Sequence, residues 1–326
     1  MADEKPTTVP APAASDVPAT ASSGATEPPA ATPAAEATET SAAAPALKPD
    51  EPSTPLRELW KAAQAASHGE IWGVELADPA THVPSQIVFQ KYLNANDGDV
   101  VKAREQLTKT LSWRAEMKPL ELVKQTFSQT KFGGLGYVTK YAVGGGEEKG
   151  SGETGTSVIF TWNVYGIVKS MEETFGNLDE FIKWRVALME IAVLELNLAS
   201  ATQPITVEKD HYKIYQVHDY KSISFLRQAP QVKAASTETI KVFATAYPEL
   251  LKEKFFVNVP AIMGFLYTFI KRFVAPATAK KFHPMANGEN LAKEFGEIAG
   301  LGDQLPKEYG GKGEDLKTQG QEPSVG

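Results

Sequence analysis

Between Tyr137 and Gly300 the chain alternates short runs of β-branched and aromatic residues with longer runs whose apolar residues recur at helical spacing, an order that few architectures accept. The extended runs are YVTKYAV, SVIFTWNVY, KIYQVHDY, KFFVNVP and KKFHPM. Among and after them stand LDEFIKWRVALMEIAVLELNLAS, PQVKAASTETIKVFATAYPEL, AIMGFLYTFIKRFV and ENLAKEFGEIAG, each read as helix. Parallel strands cannot be joined by a tight turn, so strands separated by crossover helices imply a mainly parallel sheet and an α/β fold. The first two runs differ, because only GGGEEKGSGETGT lies between them and a hairpin with a long tip is expected. That glycine cluster opens no helix and lacks the Gly-Lys-Ser/Thr ending of a phosphate loop.

Upstream, PLRELWKAAQAA starts a helix capped by Ser53 or Thr54, with Leu56, Leu59 and Trp60 at helical spacing. Two further helices carry Ile87, Val88 and Tyr92, then Val100, Ala103, Leu107 and Leu111, across the polar turn Asn94 to Asp99. Residues 54–130 are therefore expected to form a helical lobe and residues 131–315 an α/β lobe. Residues 1–53 are nearly all Ala, Pro, Thr, Ser and Glu. Such a segment cannot bury enough apolar area to offset its ordering entropy and is expected to be a disordered tail, as are residues 316–326. The first tail has neither the arginine of a transit peptide nor the apolar core of a signal peptide.

With 42% hydrophobic residues in 326, the rest of the chain can bury a real core. A net charge of −7 and the lack of a basic run interleaved with aromatics argue against nucleic acid as a partner. The absence of cysteine excludes a disulfide framework, a zinc finger and thiolate-ligated haem or iron–sulfur clusters, and fits a cytoplasmic address. The longest apolar stretch, Val259 to Pro276, contains Lys271 and Arg272 and is too short to cross a bilayer, which leaves peripheral membrane contact open. Neither a Gly-X-Ser-X-Gly elbow nor a His-Glu-X-X-His motif is present to support a hydrolase.

HYKIYQVHDY, His211 to Tyr220, is the candidate site. Strand alternation puts His218 and Tyr220 on one face, roughly 7 Å apart along the chain, and Asp219 on the other. An imidazole and a phenol inside an apolar wall both need partners, so they are either satisfied core residues or the polar spot of a pocket. Asp219 suits an N-cap or a salt bridge better than ligation.

The succession YLNANDGDVVKAREQLTKTLSWR, HDYKSIS, YPELLKEKFFVNVP, AIMGFLYTFIKRFVAPATAKKF and LPKEYGGKGED resembles the CRAL-TRIO lipid-transfer family, from about Leu56 to about Asp315. Within that family the His-Asp-Tyr triplet is most similar to the fungal non-classical phosphatidylinositol transfer proteins of the Sec-fourteen homolog five branch, whose members bind haem b through a tyrosinate. The resemblance implies a helical lobe and an α/β lobe whose sheet floors a hydrophobic pocket, closed by a gating helix here matched by AIMGFLYTFIKRFV.

It also implies site roles. Tyr220 would ligate iron, since a phenolate is a hard anionic donor suited to ferric haem. His218 would support it, Tyr137 would cover the cofactor's other face, Arg185 would pair with an internal anion such as the phenolate or a propionate, and Lys254 with an inositol phosphate or a haem propionate. The expected function is a non-enzymatic haem-binding carrier of phosphatidylinositol, contributing to phosphoinositide homeostasis and the oxidant-stress response. It would work in the cytoplasm with peripheral association to the endoplasmic reticulum membrane. A haem enzyme of peroxidase or catalase type and a lipid carrier without haem are the alternatives.

Overall fold

The computed structural model describes residues 54–144, 156–206, 209–221, 229–259 and 276–326. The expected gating helix, most of the glycine-rich tip and the amino-terminal tail lie outside the described residues.

Thr54 opens the first helix, α1 (Pro55–Gln64), where its hydroxyl accepts from the Arg57 N–H and Pro55 supplies a preset φ. The helical lobe continues with α2 (Val83–Asn94), α3 (Val100–Met117, capped by Asp99), α4 (Pro119–Leu122) and α5 (Gln129–Phe132). A small hairpin that the sequence reading missed, β1 (Glu70–Ile71) with β2 (Val74–Glu75), interrupts it. Its two-residue turn, Trp72 and Gly73, has positive φ at both positions, and two-residue strands are too short for alternation to show.

The sheet has the order β3-β4-β5-β6-β7: β3 (Gly136–Val143), β4 (Thr156–Val164), β5 (Ile214–Asp219), β6 (Leu251–Val257) and β7 (Phe282–Pro284). β3 and β4 are antiparallel, as a hairpin requires, and every later pair is parallel. The crossovers from β4 to β5 and from β5 to β6 include α6 (Met171–Phe175) with α7 (Leu178–Glu195), and α8 (Pro230–Ala246). Helix α7 is buried from Phe181 to Val193 except at Lys183, with exposure confined otherwise to its ends. Its Trp184, Leu188 and Ile191 share a core with Leu59, Leu107 and Ile214, so the helical part and the α/β part pack on common core residues.

Buried ions tie the helical part to the sheet part. Arg114 of α3, wholly inaccessible, is held between Glu70 of β1 and Glu190 of α7, at 2.8 and 2.7 Å, and Glu190 also accepts from the Tyr247 hydroxyl. Lys91 of α2 donates to Asp210, to the Tyr212 carbonyl and to the Glu249 carbonyl, within 3.0 Å in each case. Satisfied in this way, each buried charge escapes the penalty of an orphan.

The other sheet face carries Tyr137, Tyr141, Phe160, Trp162, Val217, Phe255 and Val257, packed under the carboxy-terminal segment. ENLAKEFGEIAG contributes there as a 3₁₀ helix, Gly288–Phe295, and not as the expected α-helix. Residues 316–326 are not a loose tail: Leu316 is buried, Gln321 bridges to Val138 on the free edge of β3, and Val325 bridges to Phe127. Covering an edge strand satisfies groups that would otherwise face water, a gain that composition does not reveal. No helix among the described residues is long and apolar enough to cross a membrane.

Candidate functional site

The carboxyl ends of β4, β5 and β6 bring four rings together. His218 sits in register between Asn163 of β4 and Phe256 of β6. Tyr220 follows the last strand residue, and its N–H still donates to the Val257 carbonyl at 3.1 Å, which prolongs the ladder. Alternation then sends Gln216, His218 and Tyr220 to the α7 face, where Gln216 lies 3.9 Å from the Met189 sulfur. The expected shared face of His218 and Tyr220 is found, with ring centroids 6.3 Å apart. Phe256 packs edge-on to His218 at 5.7 Å and stacks on Tyr220 at 6.3 Å.

The fourth ring is Tyr165, a residue that the sequence reading passed over. It lies in a 3₁₀ turn, Tyr165–Ile167, directly after β4, with its centroid 5.5 Å from His218 and 5.9 Å from Tyr220. That turn folds over the end of β5 because residue 166 is glycine: a Cβ there would stand 2.2 Å from the Lys221 carbonyl oxygen. Gly166 directly after the strand was the available sequence signal. Tyr165 instead read as the last alternating residue of SVIFTWNVY.

Tyr137 does not join them. Its register partner is Trp162, and both belong to the core on the opposite sheet face, where Gly320 lies against the Tyr137 ring. Its expected role over the cofactor is therefore corrected: one strand position of parity separates the two faces. Tyr165, three residues beyond Trp162, takes the place facing Tyr220.

Arg185 of α7 is 2% exposed, and its guanidinium stacks over the Trp184 and Phe243 rings at 5.8 and 5.3 Å. Among the described residues its Nε and Nη1 have no hydrogen-bond acceptor, and the same holds for Nε2 of His218, which is 7% exposed. Lys254, paired in register with Gln216, is half-buried with its ammonium over Phe256 at 5.4 Å and Phe282 at 5.8 Å. Two cations facing aromatic rings, with no carboxylate paired to either among the described residues, suit an anionic group.

The titration behaviour follows. Burial, then the charges of Lys254 and Arg185, push the His218 imidazole well below its ordinary value, so it is neutral near pH 7. Burial and the Arg185 charge push Lys254 down to about 7. The Tyr220 phenol is raised by burial and by Tyr165 beside it, with Arg185 opposing, and Tyr165 is likewise raised by burial against Arg185. A bare phenolate is thus disfavoured here, and only a strong nearby positive charge would release the proton.

Asp219 faces away, into the second core, and makes neither an N-cap nor a salt bridge among the described residues. Its Oδ1 accepts from the Lys221 N–H at 2.8 Å and from Asn258 Nδ2 at 2.7 Å, and its Oδ2 accepts from the Tyr309 hydroxyl at 3.0 Å. Asn258 in turn accepts from the Gly288 N–H. The strand end that presents Tyr220 is thereby anchored from behind by the carboxy-terminal segment. Among the described residues no three His, Asp or Glu side chains converge as a metal site.

This arrangement has known counterparts. Residues 159–311 match the CRAL/TRIO domain. Over 274 residues the chain is 58% identical to "Phosphatidylinositol transfer protein sfh-5" of Neurospora crassa, a match covering 83% of this chain and 75% of that one. The chain belongs to the CRAL/TRIO family. Within the family it groups with the Sfh5 proteins, being 66% identical over 272 residues to "Phosphatidylinositol transfer protein SFH5" of Chaetomium globosum, covering 83% of this chain and 61% of that one. It is 63% identical over 273 residues to the protein of the same name from Pyricularia oryzae, covering 82% and 66%. The matched part thus spans less than two thirds of those two relatives' length. The crystal structure of Sfh5 superposes with a TM-score of 0.66 at 27% identity, covering 85% of this chain and 95% of that one. CRAL/TRIO membership accounts for the mainly parallel sheet and the helical amino-terminal region.

Proposed function

We propose that this chain transfers phosphatidylinositol between membranes and that the same pocket holds haem b, with Tyr220 on the iron. The lipid half of the reading is supported by the Chaetomium, Pyricularia and Neurospora relatives, each named a phosphatidylinositol transfer protein. Arg185 and Lys254 are suited to an anionic headgroup, and Tyr165, Phe256 and Phe282 to apolar atoms. Handing a lipid between bilayers requires peripheral docking, for which the cytoplasmic surface of the endoplasmic reticulum is the proposed location.

One observation carries the haem half: a 2% exposed guanidinium whose Nε and Nη1 have no acceptor among the described residues lies near a neutral imidazole whose Nε2 has no partner among them, with two phenols beside that imidazole. Those residues fit haem by the chemistry of the donor set. A phenolate oxygen is a donor for ferric iron, and Arg185 and Lys254 match propionates. Bound there, haem would supply a redox-active iron; a contribution to oxidant-stress response belongs to the same proposal. In the protein's own chemistry, Tyr220 gives up a proton when a cation reaches its oxygen, and Arg185 favours that loss. His218 offers Nε2 as donor or acceptor beside it, and Phe256 excludes water.

Titrating haem into the purified chain tests this: a Soret band that Tyr220→Phe greatly weakens is expected, whereas wild-type protein that takes up no haem would sink the haem half. Vesicle-to-vesicle transfer of labelled phosphatidylinositol tests the lipid half. Lys254→Ala should slow it at least tenfold, and absence of transfer by the wild type refutes the reading. Peroxide turnover far above that of free haem would favour the peroxidase alternative.

A further inference from the structure

Lys254 combines features that neither lipid carriage nor haem binding requires. Its amine projects from a sheet strand over the faces of Phe256 and Phe282, and no ion pair to a carboxylate is found for it among the described residues. Six other lysines are placed differently: Lys61, Lys131, Lys140, Lys183, Lys241 and Lys312 each lie within 3.1 Å of an acidic oxygen. Lys91, although buried, spends its three N–H groups on three acceptors. Lys254 instead points into an apolar, aromatic space shared with the His218 imidazole, whose Nε2 is unpartnered. The positive charge of Arg185 acts on both.

We propose that Lys254 is a covalent capture site for hydrophobic aldehydes, forming an imine inside the pocket. The Nζ lone pair adds to the aldehyde carbon and the carbonyl π pair moves to oxygen, which becomes a hydroxyl by taking up a proton. The hydroxyl then leaves as water while nitrogen loses its remaining protons. One amine and one aldehyde thus give one imine and one water, with no oxidant or reductant consumed. Three features favour it. A second cation near a desolvated lysine keeps the amine unprotonated and nucleophilic. An apolar surround limits the water that hydrolyses imines. A neutral imidazole can carry the protons that dehydration requires. The aromatic walls select an alkyl or aryl tail, so the ligand class is a long-chain or aromatic aldehyde and not a small hydrophilic one.

With a lysine held down to about 7, about half the Lys254 amines are free at neutral pH, some three orders of magnitude more than for a solvated lysine. The experiment is reductive alkylation of the full chain, haem-free and delipidated, with decanal and cyanoborohydride at pH 7, followed by peptide mass mapping. Labelling of Lys254 should outpace every other lysine by at least about 30-fold, because the lower basicity of the amine returns part of the thousandfold gain. Glyoxylate, which has no apolar tail, should show far weaker preference for Lys254. Lys254→Arg should abolish the fast phase while leaving slow labelling elsewhere and the melting temperature unchanged. Labelling of Lys254 no faster than Lys109, Lys183 or Lys241, or equal preference for glyoxylate and decanal, would overturn the proposal. Neither result depends on whether haem or phosphatidylinositol binds, so the two readings fail separately.

Discussion

Replacing Arg185 by methionine should make the ligand-free protein more stable while reducing its affinity for anionic ligands. The side chain is 2% exposed, and its Nε and Nη1 have no acceptor among the described residues. Each unsatisfied buried donor costs about 1–3 kcal/mol. Against that stand two cation–π contacts, worth roughly 1–3 kcal/mol together at desolvated sites, and packing that a methionine of similar length largely retains. The balance is a gain of about 1–3 kcal/mol. At about 2–4 °C per kcal/mol for a domain of this size, the melting temperature should rise by roughly 2–12 °C. Paired measurements decide the matter: urea melts of wild type and Arg185→Met without ligand, then the same proteins with a soluble phosphoinositide. The variant should unfold at higher urea in the first and lose most of the ligand-induced stabilisation in the second. Destabilisation by more than about 1 kcal/mol without ligand would show that the guanidinium is satisfied within the fold, refuting the reasoning.

Three further outcomes are expected. Tyr309→Phe removes the donor to Asp219 Oδ2, so a loss of about 1–3 kcal/mol and faster amide exchange in residues 305–321 should appear; unchanged exchange there would show that the hydrogen bond anchors nothing. Glu190→Ala leaves Arg114 with Glu70 alone in a buried site and takes the acceptor from Tyr247, a cost of roughly 3–5 kcal/mol readable by chemical denaturation. Lys254 has a folded-state value of about 7 against 10.5 when unfolded, so between those values the unfolded chain binds more protons. Ligand-free stability should therefore rise with pH from about 7 to about 10.5, by up to about 1.4 kcal/mol per unit before solvent relaxation reduces it. Lys254→Met should flatten that slope, leaving the smaller contribution of Lys91, held at about 8; an unchanged slope contradicts the assignment.

Much of the chain could be read directly from period. Alternation in KIYQVHDY placed His218 and Tyr220 together and turned Asp219 away, and the order of strand and helix runs implied parallel pairing, as observed. The misses share a cause. Tyr137 and Tyr165 both border apolar strands near glycines, and only the register between β3 and β4 decides that Tyr137 faces Trp162's core while Tyr165 turns in to meet Tyr220. Residues 316–326 are polar and glycine-containing, and their order comes from the exposed edge of β3, which a composition argument does not contain.

The sequence by itself therefore determined the element types, the mainly parallel sheet and the pairing of an imidazole with a phenol on one face. These depend on side-chain periods of about 3.6 and 2, which are local properties of the chain. Tertiary packing decided which cations stand beside those rings without a carboxylate among the described residues, which tyrosine joins them, and what anchors the strand end from behind. Those are matters of desolvation and of partners distant in sequence, as with Arg185 over Phe243 and Asp219 under Tyr309. A side chain's electrostatic character is set by what the fold removes from around it, and nothing in its immediate sequence records that removal.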